Sequence, residues 1–71
     1  MHFIFTDHAE IRIDERTTTK EQIRETILHP DSMATGRKGR KVALKDFTGK
    51  TLKVVYKMEN DACVVITMMW K

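Results

Sequence analysis

Apolar and polar positions change their rhythm twice along this chain. Residues 2–5 (His2-Phe3-Ile4-Phe5) form a short aromatic and apolar run ending in polar residues, which predicts a strand. Asp7 with Glu10 three residues on resembles a capping box, and it opens a helix expected from about residue 7 to residue 16. Thr17-Thr18-Thr19 breaks that helix, because β-branched residues lose side-chain freedom in a helix and their hydroxyls favour caps and turns. Thr19 with Gln22, or Thr18 with Glu21, starts a second helix. Its apolar stripe is Ile23 and Ile27, widened by Leu28. Pro30 ends it by disfavouring helical backbone at His29.

Asp31 to Gly39 reads as a loop carrying Gly36 and Gly39. From Arg40 the period becomes two. Val42, Leu44 and Asp46 take one side, and Lys41, Ala43, Lys45 and Phe47 the other. Thr48-Gly49-Lys50 is a hairpin turn with glycine at a left-handed position. The next strand alternates Leu52, Val54, Tyr56 and Met58 with Thr51, Lys53, Val55 and Lys57. Glu59-Asn60-Asp61 is a second tight turn. In the last strand, Ala62 to about Trp70, Ala62, Val64, Ile66, Met68 and Trp70 oppose Cys63, Val65, Thr67 and Met69. Both sides are mostly apolar, which predicts a central strand or one covered on both faces. The order is β-α-α-β-β-β. The expected class is α+β, one domain over residues 1–71, with an antiparallel sheet and both helices packed on one face.

At 71 residues the core must be thin. The single Cys63 cannot form an internal disulfide and sits in an apolar run, so it reads as a buried small hydrophobe in a reducing, cytoplasmic setting. No apolar stretch approaches the roughly 20 residues that span a bilayer, so no membrane is expected as a partner. His2, His29 and Cys63 lack metal-ligand spacing, and neither metal nor cofactor is expected.

Charge changes the picture most. Residues 1–36 carry four basic and seven acidic side chains, a net −3; residues 37–57 carry eight basic ones against Asp46 alone, a net +7. A basic block that alternates like strands builds a positive face, and such a face attracts polyanions, nucleic acid above all. Arg37, Lys38, Arg40 and Lys41 sit in a glycine-spaced segment suited to phosphate-backbone contacts, or equally to a solvated run guarding a sheet edge. Lys45, Lys53 and Lys57 are expected to share one sheet face if the turn keeps them in register.

In the first helix, Glu10, Asp14 and Asp7 form an acidic arc, the natural solvent side. That leaves His8 and Arg12, one turn apart, leaning towards the protein. A half-buried histidine beside an arginine suits a general base or a phosphate-orienting group; it equally suits a structural pair tying helix to sheet. Tyr56 reads as core, Trp70 as core or as a terminal ring that stacks on a base, and Thr67 as either a strand former or a site-lining hydroxyl.

His8-Ala9-Glu10-Ile11-Arg12 followed by Glu15-Arg16, a second helix ending in His29-Pro30, a Gly/basic loop, Thr51-Leu52-Lys53-Val54-Val55 and Val64-Val65-Ile66-Thr67 together resemble a family of small uncharacterised prokaryotic domains. That family is grouped with the RelE/ParE and BrnT-like toxins. The resemblance covers almost the whole chain. It implies a compact sheet with two N-terminal helices, and a metal-independent ribonuclease toxin paired with an acidic antitoxin. On the matching positions it implies roles for His8, Arg12 and Lys53 in catalysis, with Glu15, Arg16 and Thr67 supporting. Arg is common in the family where Lys53 stands. The expectation is therefore an RNA-directed toxin, with a non-catalytic nucleic-acid-binding or acidic-partner-binding module as the alternative.

Overall fold

A computed structural model describes residues 1–71. Five strands form one sheet in the order β1-β5-β4-β3-β2: β1 (His2–Phe5), β2 (Ser32–Thr35), β3 (Lys41–Phe47), β4 (Lys50–Glu59) and β5 (Ala62–Trp70). Helices α1 (Asp7–Glu15) and α2 (Lys20–Leu28) lie between β1 and β2. The class and the order β-α-α-β-β-β are as expected, with one strand added. Ser32–Thr35, read as loop, pairs antiparallel with Lys41–Leu44, and Arg37–Gly39 makes a single 3₁₀ turn at the hairpin tip. Met33, Ala34 and Thr35 carry too short a pattern to show period two, and a neighbouring strand supplies what they lack. The sheet is mixed: β1 runs parallel to β5, while β3, β4 and β5 form the expected antiparallel meander. β5 is interior, between β1 and β4.

Helix boundaries follow local chemistry. Thr6, not Asp7, caps α1: its backbone is extended and its Oγ1 accepts the Ala9 N–H at 3.1 Å. Asp7 instead adds negative charge to the first turn. The α2 cap is the box expected of Thr19 and Gln22, with both hydrogen bonds made. Ile23 and Ile27 are buried, but the third member of the buried stripe is Thr26, not Leu28, which is half exposed. Thr26 can be buried because its hydroxyl donates to the Gln22 carbonyl at 2.8 Å.

The period-two reading of β5 fails at one residue. Val54 pairs with Met68 and Val55 with Thr67, but Tyr56 pairs with Val65, so Ile66 is an extra residue bulged from the ladder. Cys63 and Val65 therefore share the core face with Met68 and Trp70, while Thr67 and Met69 turn to the opposite face. That core face, with Ala43, Leu52, Val54 and Tyr56, packs against Ala9, Ile23 and Ile27. Lys20 lies over the Phe5 ring (4.9 Å) and Arg24 over Phe3 (5.8 Å), tying α2 to β1.

Cys63 is fully buried, and burial pushes its thiol up to about 11. Tyr56 is raised too, by burial and then by the Cys63 thiol. An unfolded thiol ionises near pH 8.5, so this stability is complete below that pH and is lost as pH rises towards about 11. The unfolding free energy from urea denaturation should be about 2 kcal/mol lower at about pH 10.5 than at about pH 7.5, and Cys63→Ala should flatten this dependence.

Thr17 closes α1 at φ 52°, with its N–H donating to Asp14 O (3.4 Å) and the Thr18 N–H to Ile13 O (3.1 Å). This is the Schellman pattern, with threonine where glycine is usual. Left-handed backbone is strained for a β-branched residue. Thr17→Gly should raise stability by about 1 kcal/mol, a melting temperature some ~5 °C higher. An unchanged melting temperature would mean that the site carries no strain.

Candidate nucleic-acid interface

Helix α1 continues from β1 along the second half of β5. The Thr6 N–H donates to Val65 O (3.3 Å) and the Thr6 hydroxyl to Ile66 O (3.4 Å). At the other end the Trp70 indole N–H donates to Arg16 O (2.9 Å). Ala9, fully buried, is the point of closest packing. Lys20 on α2 reaches Glu10 at 3.1 Å, so the Glu10 flank of α1 faces α2. His8 and Arg12 each project about 160° from Glu10 around the helix axis. Their row is therefore turned away from α2.

The row is linked internally. Arg12 Nε donates to His8 Nε2 at 3.3 Å, and the Arg12 guanidinium forms an ion pair with Glu15. His8 is exposed, not half-buried as the helical phase suggested. The acidic arc does not take all the solvent: Glu10 is occupied by Lys20, and the opposite flank is open as well. Arg12 keeps about a third of its side chain accessible, at 32%.

On the uncovered sheet face, Thr67 and Val55 are neighbours, as are Met69, Lys53 and Leu44, and Val64 and Lys57. Given a 1.5 Å rise per residue in the helix and about 3.3 Å in the strand, His8 lies about level with Thr67, and Arg12 about level with Met69 and Lys53. Lys57 is paired with Glu59 at 2.7 Å.

Lys45 is not on this face. The two-residue turn sets Lys45 opposite Leu52, so it shares the helix side, where its Nζ donates to His29 O at 2.9 Å. Lys41, opposite Tyr56, falls on that side as well. The three lysines expected together are thus two plus one, because hairpin register places each side chain and like spacing does not.

Arg37, Lys38 and Arg40 form the tip of the β2–β3 hairpin, held by Gly36 N–H to Arg40 O (2.7 Å) and Arg40 N–H to Arg37 O (3.1 Å). Lys38 and Gly39 take left-handed backbone (φ 56° and 76°), and all three cations are exposed and outside every ion pair. From α1 the tip lies beyond β5 and β4, about 15 Å or more away. The tip and the His8–Arg12 row therefore cannot grip one phosphate together. Sequence reasoning also missed Lys50, which lines a cleft at the far end of the sheet with Arg16 and Trp70; its position in a turn gave no sign of this.

No helix is long and apolar enough to cross a membrane. None of the curated proteins matches this chain. Among solved structures, the crystal structure of the Brucella abortus ribonuclease toxin BrnT is similar, with a TM-score of 0.76 and 20% identity, covering 100% of this chain and 96% of that one. At that identity the likeness is one of fold. A family model described as a domain of unknown function (DUF4258) matches residues 5–70, which span both helices and all of the sheet except the first residues of β1. The chain belongs to this family, DUF4258.

Proposed function

We propose that this domain is a metal-independent ribonuclease, the toxin of a toxin–antitoxin pair, and that it groups with the RelE/ParE-like toxins. The observation that carries the reading is the His8–Arg12–Glu15 row, linked side chain to side chain on the flank of α1 turned away from α2; Lys53 stands on the sheet face opposite the core. The fold likeness to a ribonuclease toxin, over the whole chain, supports it.

In this reading His8 takes the proton of a ribose 2′-hydroxyl. The oxygen attacks the adjacent phosphorus, the bond to the 5′-oxygen of the next nucleotide breaks, that oxygen takes a proton from water and leaves as a 5′-hydroxyl, and a 2′,3′-cyclic phosphate forms. Arg12 and Lys53 stabilise the charge that builds on the phosphoryl oxygens. Glu15 holds Arg12 in place, and Thr67 lines the face beside it. Lys57 and the Arg37–Lys38–Arg40 tip bind the backbone of nucleotides further along the strand. An acidic antitoxin would cover the same cations.

Expression of the chain alone should arrest growth, and a small acidic protein encoded beside it should restore growth. Purified protein should cut RNA with a chelator present. RNA left intact but bound, with affinity falling steeply as salt rises, would replace the reading with a non-catalytic binding module.

A further inference from the structure

A second site stands at the opposite end of the sheet from the hairpin tip. There the α1–α2 joint, the β3–β4 turn and the end of β5 enclose an open cleft of about 510 Å³. We propose that this cleft binds a nucleoside 5′-phosphate, with the base against Trp70 and the phosphate between Arg16 and Lys50.

Three observations converge. The first is charge. The lining includes Arg16 and Lys50 and no carboxylate, and neither cation takes part in an ion pair. Arg16 Nε is buried without a hydrogen-bond partner. That nitrogen is shut off from solvent, so a phosphate would meet the terminal nitrogens of the guanidinium, and a cation without a counter-charge calls for an anion.

The second is a fixed aromatic wall. Trp70 meets Phe47 edge to face, with ring centroids 5.9 Å apart and planes at 83°. Its indole N–H is held by the Arg16 carbonyl. A ring held by an aromatic neighbour and by its nitrogen is a fixed stacking surface, and nucleobases stack on such rings regardless of sequence.

The third is backbone. Four non-glycine residues have positive φ, and only two of these are β-branched: Thr17 (52°) and Thr48 (48°). Both line this cleft. Turn chemistry favours Gly or Asn at such positions. Strained backbone gathered at one cleft is a mark of a working site, and here it sets two threonines in the lining. Gln22 adds an amide. Cations, a plane and several neutral donors together match a nucleotide. A bare anion would leave the tryptophan unused, and an uncharged ring would leave the cations unused.

The cleft lies at the end of α1 remote from His8, so it can hold a nucleotide whether or not the domain cuts RNA. Trp70 is the only tryptophan, so its fluorescence reports this site alone. The full chain is titrated with 5′-AMP, with a four-nucleotide adenine RNA and with inorganic phosphate. Saturable quenching by the first two, and none by phosphate, is expected. Lys50→Glu should weaken binding at least about tenfold, and the milder Lys50→Gln serves if that variant does not fold. Binding of the RNA far tighter than of 5′-AMP assigns the cleft to one unit of a strand. Equal binding assigns it to a free nucleotide. No quenching at millimolar ligand, or quenching unchanged in both Lys50 variants, overturns the proposal. His8→Ala protein that no longer cuts RNA yet still shows the quenching separates this site from the ribonuclease reading.

Discussion

His8→Ala should lower RNA cleavage by about 10²–10⁴-fold and release cells from growth arrest, with the melting temperature unmoved. The size follows from the role: one general base contributes about that factor. The unchanged stability follows from position, because the ring is exposed and its one side-chain hydrogen bond comes from Arg12. Arg12→Ala tests the other half of the pair. It removes both the guanidinium proposed to meet the phosphate and the link from Glu15 to His8, so its loss should at least equal that of His8→Ala. Cleavage and toxicity that survive His8→Ala would remove the imidazole from the mechanism. Loss of activity with a large fall in melting temperature would instead make the row a structural tie between helix and sheet.

The largest effect on stability is expected from Leu52→Ala. Leu52 is fully buried in the middle of the core face, between β3 and β5. Truncating a buried leucine costs about 3 kcal/mol or more, and a domain of this size has about 4–10 kcal/mol in total. The melting temperature should drop by about 15 °C. Leu44→Ala is the control. Leu44 is half-buried beside Lys53 on the uncovered face, and its truncation should cost less than about 1 kcal/mol. Equal losses at the two positions, measured by urea denaturation, would mean that both faces of the sheet are packed in solution.

Much of the fold was legible in the chain. The meander follows from alternation over Val42–Phe47 and Leu52–Met58 and from a glycine in its first turn. The second helix follows from Thr19, Gln22 and Pro30. Asp7 was misread as a cap because Thr6 belongs by pattern to neither strand nor helix, and only backbone geometry shows its hydroxyl serving both. Leu28 was placed inside because hydropathy ranks it above Thr26, whereas a threonine bonded to its own helix is buried at little cost. The candidate site was legible in part. His8, Arg12 and Glu15 do form one row, since helical spacing is local. Lys45 does not join Lys53 and Lys57, since cross-strand register is not.

Residue order along the chain thus determined both helices, four of the five strands, the core of the meander, the basic bias of residues 37–57 and the helical row of His8. These depend on neighbours within a few positions. Tertiary structure alone decided the parallel docking of β1 on β5, the β2 edge, the Ile66 bulge that turns Thr67 outward, and the cleft joining Arg16, Lys50 and Trp70. Each depends on backbone hydrogen bonds or packing between separate segments, from Thr35 and Lys41 at one extreme to His2 and Ala62 at the other, and no helical or strand periodicity encodes them.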